Sequence, residues 1–385
     1  MPPNSTESRA APSDAAEPRQ GRLKRHPLWG NLLLSVVSTA ILFLLIEGLA
    51  SVLMSARAAK RDLYVRELSH MQFDADLGWS HRPDVHVEDL YGEKTRFTTN
   101  SQGFRAGENF DKAIPAGKYR MVALGDSFTM GIGVGDDGTF PAQMQALCPV
   151  LQTVNMGQGG YGVDQDYLWY KRDGVKLDAN MLLFAVIAPD FYRMTGDSFI
   201  GYGKPVLRVR NDALVIENVP VPATWNLRMP IGRARTFLDS LAVVRTAQWL
   251  AWHAGYGPAP ARQLYGVASD EVLAAAELVF DELAVLSRSR GQRFVVAYLP
   301  ISLLLAREPT REAAWLEDHS RRKAVPFINL VPDFNRLTSA EITRMFRSDD
   351  HYTEAGNRFV AEALLRRLAE QIPGFPGCGP RPHPQ

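Results

Sequence analysis

Val122-Ala123-Leu124-Gly125-Asp126-Ser127-Phe128-Thr129-Met130-Gly131 is an apolar run that ends abruptly in Gly-Asp-Ser. A short apolar run bounded by turn residues predicts a buried parallel strand. The position just past its C-terminal end is where open α/β sheets hold their ligands. Gly125 permits a tight turn that a side chain would obstruct, so Ser127 emerges from it with its hydroxyl exposed. The far end of the chain supplies the complement. Ser348-Asp349-Asp350-His351-Tyr352-Thr353 leads into an amphipathic helix with Val360, Leu364 and Leu368 on one stripe. A serine after the first sheet strand and an Asp/His pair before the last helix provide a nucleophile, a base and an orienting carboxylate.

Each piece also has a plain structural reading. Ser127 suits a helix N-cap, Asp349 or Asp350 a cap, and His351 a satisfied surface histidine. Their joint order, each at a strand end, is what points to catalysis.

Outward from these motifs, strands and helices alternate. The pattern predicts strands near Met121–Leu124, Leu151–Val154, Met181–Ile187, Arg293–Leu299 and Pro326–Leu330. Helices are expected near Phe140–Leu147, Asp164–Arg172, Glu271–Arg288, Arg311–Arg321 and Glu354–Gln371. This alternation implies an α/β fold, flavodoxin-like, with a five-stranded parallel sheet covered on both faces to give three α/β/α layers. An insertion at about residues 200–265 separates the third and fourth strands. It contains a predicted hairpin, Val206–Val209 against Ala213–Ile216, with Asn211-Asp212 in the turn. An apolar helical stretch, Thr236–His253, follows. The insertion leaves from the catalytic end of the sheet, so it either shapes the site or is simple elaboration. Upstream, Arg96-Phe97-Thr98-Thr99 alternates as a strand, and Asn100 to Gly103 reads as a turn.

The composition is 46% hydrophobic and 22% charged, with a net charge of +1, that of a folded protein. Nucleic acid is excluded as a partner class, since such binding rests on clustered positive charge. Residues 1–26 form a Pro/Ser/Ala/Arg-rich tail expected to be disordered. From Pro27 to Ile46 there is no charge, and as a helix this stretch is about 30 Å long, the thickness of a bilayer core. Its Leu, Ile, Val and Phe side chains favour insertion by about 4–7 kcal/mol. Residues 27–56 are therefore read as one transmembrane helix with the lipid bilayer as partner. The alternative is a cleaved signal, because Ala56-Arg57-Ala58 resembles a small-x-small cleavage site. Arg22, Lys24 and Arg25 before the span balance Arg57, Lys60, Arg61 and Arg66 after it, so charge does not choose an orientation. Residues 57–117 read as a stem and entry region, 118–372 as the principal domain, and 373–385 as a disordered Pro/Gly-rich tail. Cys148 and Cys378 are either one disulfide or two free thiols.

Taken together, these motifs resemble the SGNH (GDSL-type) hydrolase superfamily, in particular bacterial members with one N-terminal membrane helix. The resemblance covers roughly residues 75 to 371. Gly125-Asp126-Ser127 matches the first block, whose serine is the nucleophile. Asn155-Met156-Gly157-Gln158-Gly159-Gly160 matches the second, whose last glycine donates its N–H to the oxyanion. Asp349-Asp350-His351 matches the final block. The third block departs: Ile187-Ala188-Pro189-Asp190 stands where the family has Gly-x-Asn-Asp, and Pro189 offers neither a side-chain donor nor an N–H.

The resemblance implies a serine esterase or acylhydrolase with Ser127, Asp349 and His351 catalytic, Asp350 being the fallback acid. Ser127 and Gly160 would bind the oxyanion, and Asp126, Asn155, Gln158 and Asp190 would support the site. The implied substrate is an ester-bearing carbohydrate of the envelope or of exported polysaccharide, or another acyl compound. An O-acyltransferase would use the same site, and Pro189 leaves room for a non-catalytic binding or assembly protein. No metal or organic cofactor is required. No Cys/His cluster has zinc spacing, and Gly131-Ile132-Gly133-Val134-Gly135 lacks the final spacing of a dinucleotide loop.

Overall fold

Five parallel strands, in the spatial order fifth, fourth, third, first, second, form the centre of the protein. The computed structural model describes residues 27–60, 70–199, 202–221 and 266–378, with four isolated positions between 241 and 247. The expected tail 1–26, most of Thr236–His253, and residues 379–385 lie outside the described residues.

The chain begins with α1 (Pro27–Lys60), then two antiparallel pairs, β1 (Met71–Asp74) with β2 (Gly78–His81) and β3 (His86–Val87) with β4 (Phe97–Thr98). The alternating part follows as β5 (Tyr119–Gly125), α2 (Ser127–Met130), α3 (Phe140–Leu147), β6 (Leu151–Gly157), α4 (Val163–Arg172), β7 (Met181–Val186) and α5 (Ala188–Arg193). Two hairpins come next, β8 (Ser198–Phe199) with β9 (Tyr202–Gly203) and β10 (Val206–Arg210) with β11 (Ala213–Glu217). The C-terminal part comprises α6 (Asp270–Ser289), β12 (Arg293–Tyr298), α7 (Ser302–Leu305), α8 (Arg311–Lys323), β13 (Phe327–Asn329), α9 (Val331–Phe334), α10 (Ser339–Met345) and α11 (Glu354–Gln371).

The sheet runs β13-β12-β7-β5-β6, and every pairing in it is parallel. Its strands read as continuous apolar runs because both faces are covered. Val122 and Leu124 of β5, Leu182, Phe184 and Val186 of β7, and Val296 and Tyr298 of β12 point to one face, against α4, α6 and α8. Met121, Leu183, Ala185, Val295 and Ala297 point to the other, against α3 and α11. This is the three-layer α/β/α architecture expected. Strand order reverses between β5 and β7, and Ser127 follows β5 at that crevice.

The hairpin β10–β11 forms with Asn211 and Asp212 both at positive φ, 51° and 58°, as a two-residue primed turn demands. The hairpin β1–β2 was not expected, because Gly78-Trp79-Ser80-His81 is buried throughout and so shows no alternation. It joins the main core: Trp79, Met71 and Leu77 pack with Tyr161, Trp169 and Phe104.

Gly30–Val52 within α1 is long and apolar enough to cross a membrane, a property that an anchor and a signal sequence share. Leu33, Leu34, Leu44 and Leu45 are each about two-thirds exposed. Cys148 and Cys378 are joined by a disulfide across 230 residues. The segment from Pro373 to Cys378 has neither helix nor strand, yet it is fixed by that bond and by Phe375, whose ring meets Tyr119 edge-on.

Candidate active site

Backbone sterics build the nucleophile turn. Gly125 ends β5 at φ 153°, and a Cβ there would come within 2.3 Å of the Ala185 carbonyl oxygen. Only glycine fits, and the chain can then turn straight into α2. Asp126 caps that helix by accepting from the Phe128 N–H at 2.9 Å. Ser127 is the first helical residue, only 4% exposed, at the crevice.

The site's other half arrives from the opposite end of the chain. His351 Nε2 lies 2.9 Å from Ser127 Oγ, a hydrogen bond spanning 224 residues. On the far side of the ring, Nδ1 is 3.5 Å from Asp349 Oδ1. That is an ion-pair distance, longer than a formed hydrogen bond, and contacts of this kind commonly tighten when substrate binds. Burial opposes charge on Asp349, but His351 and Arg347 outweigh it and hold the carboxyl well below the usual range. Arg347 Nε is 3.3 Å from Asp349 Oδ1, and Arg347 Nη1 donates to the Gly133 carbonyl, clamping the histidine segment to the loop after α2. Asp350 points elsewhere: at φ 68° it accepts the Ser302 hydroxyl. Geometry therefore separates the two acids and favours Asp349.

The glycine loop after β6 is tied to the end of β5, the Gln158 N–H donating to the Gly125 carbonyl at 2.9 Å, and Gly160 follows two residues later. Among the described residues, the N–H groups of Ser127 and Gly160 find no acceptor. The carbonyls flanking Gly160 are both held, Gly159 by Trp79 Nε1 at 3.0 Å and Tyr161 by Arg193 Nη1 at 2.9 Å. Asn155 braces this loop. Its Nδ2 donates to the Thr129 carbonyl and its Oδ1 accepts from the Gly157 N–H. Gln158 Nε2 faces Met71 Sδ at 3.4 Å. Neither amide is directed at Ser127.

Pro189 lies in the first turn of α5, where a missing N–H costs nothing. Asp190 closes that turn, its Oδ2 accepting from the Ile187 N–H at 2.9 Å. Its Oδ1 receives Arg193 Nη1 at 2.6 Å, and the same nitrogen reaches Asp126 Oδ2 at 2.9 Å. Asp126 Oδ2 is also 3.2 Å from Ser127 Oγ, so it competes with the closer imidazole for the hydroxyl proton. Behind this group Asp166 is fully buried, and burial, then the charges of Asp190 and Asp126, push its carboxyl well above the usual range. Among the described residues no group of three or more His, Cys, Asp or Glu side chains is placed to hold a metal ion.

Arg193, Trp79 and Arg347 are absent from the sequence-based site. Trp79 is far from the motifs, while Arg193 and Arg347 lie just outside them, and only the fold shows what each one touches. The one local hint was Asp190-x-x-Arg193, a spacing that pairs on a helical turn.

No protein-family model and no curated protein matches this chain. Solved structures similar to it include a member of the lipolytic protein G-D-S-L family from Veillonella parvula (12% identity, 64% of this chain and 97% of that one, TM-score 0.36). Others are the lipase/acylhydrolase from Enterococcus faecalis (9%, 66% and 98%, TM-score 0.36) and the acetyl xylan esterase AlAXEase (13%, 65% and 99%, TM-score 0.37). The chemistry of this site is read from its own residues.

Proposed function

We propose that this protein is a membrane-anchored serine esterase acting on O-acetyl or other small acyl esters of envelope or exported polysaccharide. The observation that carries the reading is the 2.9 Å contact between Ser127 Oγ and His351 Nε2, made between residues 224 positions apart. Neutral His351 takes the hydroxyl proton as Oγ attacks the ester carbonyl, and Asp349 stabilises the resulting imidazolium. The free N–H groups of Ser127 and Gly160 receive the developing oxyanion. Collapse returns the proton from His351 to the departing alcohol and leaves an acyl-serine. Water, deprotonated by the same imidazole, then releases the acid. A sugar hydroxyl in place of that water would make the site an O-acyltransferase.

The confined nucleophile, 4% exposed, favours a small acyl group. The long apolar stretch Gly30–Val52 of α1 supports anchoring. The Cys148–Cys378 bond supports an oxidising, extracytoplasmic compartment for the domain. Pro189 favours a second reading, a binding or assembly protein that keeps the fold, because one missing oxyanion donor typically costs about 10²–10³ in rate. Membranes carrying the full-length protein decide between these readings. Carbonate-washed membranes with wild-type protein release acetate from an O-acetylated polysaccharide, and membranes with Ser127→Ala do not. Equal release from both would reject the esterase.

A further inference from the structure

One guanidinium joins the nucleophile turn, the glycine loop after β6 and the first turn of α5. Arg193 Nη1 reaches Asp126 Oδ2 beside the nucleophile, the Tyr161 carbonyl next to Gly160, and Asp190 Oδ1 on its own helix, at 2.9, 2.9 and 2.6 Å. The side chain is 10% exposed, and its two carboxylate partners are 1% and 0% exposed. Phe199 covers it, with the ring centroid 5.2 Å from Cζ. The loop and helix are in direct contact there, since a Cβ on Gly162 would lie 2.8 Å from the Asp190 carbonyl oxygen and 3.1 Å from Arg193 Cβ.

A surface ion pair would explain none of this. Burying a guanidinium between two carboxylates is costly unless every partner is satisfied, and breaking such a set strands a charge. Burial, then the neighbouring Asp126, push the Asp190 carboxyl well above its usual range, against the pull of Arg193. Among the described residues, Arg193 is the cation that pairs with both Asp126 and Asp190.

The same α5 turn carries Pro189, which withholds an oxyanion donor. We infer that Arg193 is a positioning residue: it sets the Gly160 N–H against the Asp126–Ser127 turn, so that the two remaining oxyanion donors are rigidly aimed. Preorganised donors need no reorganisation as charge develops, and a displacement of about 1 Å costs on the order of 10²-fold in rate. The effect falls on the transition state, so it belongs in kcat and not in KM.

This inference rests on the esterase reading, and the experiment separates the two. Steady-state hydrolysis of a short-chain aryl acetate is measured for wild type, Arg193→Lys, Arg193→Met and the double variant Arg193→Met/Asp190→Asn. The double variant removes the Asp190 charge together with the guanidinium and leaves Asp126 held by the Phe128 N–H and the Ser127 hydroxyl, and circular dichroism checks that its fold is retained. We expect Arg193→Met and the double variant to lose about 10² in kcat with KM within about threefold, and Arg193→Lys to recover part of the loss, since an ammonium keeps the charge but not the planar fork. A double variant with kcat restored to within about threefold of wild type would show that Arg193 merely neutralises Asp190, and would overturn the inference. Inert wild type would instead reject the esterase reading, and the positioning role with it.

Discussion

Replacing Asp349 by asparagine removes a charge and leaves the shape of the site intact. The carboxylate sits 3.5 Å from His351 Nδ1, with its side chain about one-quarter exposed. Two unit charges at that separation interact by about 5 kcal/mol at an effective dielectric of 20. Partial exposure screens this to ~3–4 kcal/mol of imidazolium stabilisation in the transition state. At 1.36 kcal/mol per tenfold, kcat/KM for an aryl acetate should fall by ~10²–10³ in Asp349→Asn. Asp350→Asn should stay within about threefold of wild type, because its carboxylate accepts Ser302 and faces away from the imidazole. Circular dichroism and a urea midpoint for each variant exclude unfolding as the cause. A larger loss in Asp350→Asn, or an Asp349→Asn enzyme within about threefold of wild type, would refute this assignment of the orienting acid.

Two further outcomes follow from the same geometry. Pro189→Asn restores a side-chain amide at the start of α5, so kcat should rise by at least about tenfold with KM nearly unchanged, and steady-state kinetics on an aryl acetate measures it. Unchanged kcat would mean that the helical path of this loop turns the amide away. His81 is buried where the N-terminal hairpin meets Gly103 and Met130, and burial foremost, then His70, lowers its pKa to about 3. The folded state holds it neutral while the unfolded chain takes a proton below its ordinary value of 6.5. Stability from this site is thus complete above about pH 6.5 and is lost as pH falls toward 3, at about 1.4 kcal/mol per pH unit. Urea unfolding between about pH 6.5 and 4.5 should show a steeper loss in wild type than in His81→Asn, by ~2–3 kcal/mol over the interval; equal slopes would contradict a buried neutral His81.

The central sheet was legible because its strands are apolar on both faces and end in turn residues. Helices Phe140–Leu147 and Glu354–Gln371 match their expected bounds, as strong caps and stripes allow. The serine and histidine were legible because each lies at a strand or helix junction where only a few residue types serve. Between Asp349 and Asp350 the resemblance favours Asp349, and the structure adds a difference that spacing does not carry: Asp350 is left-handed and accepts the Ser302 hydroxyl. Trp79 escaped notice because β2 is buried on all sides and shows no period. Arg193 escaped because its partners come from β5, the loop after β6 and α5, a convergence that no linear pattern encodes. Pro189 is a lost donor in the sequence, and its place in the first turn of a helix is why proline is tolerated there.

The central claim is that Ser127 is a nucleophile activated by His351. Its most direct test is covalent labelling with a fluorophosphonate, read by intact mass and by mapping the modified peptide. The account predicts one phosphonyl adduct on Ser127 in the wild-type protein, no adduct in Ser127→Ala, and labelling slowed by orders of magnitude in His351→Ala. A folded wild-type protein that takes no label, or one labelled equally well after Ser127→Ala, would contradict it.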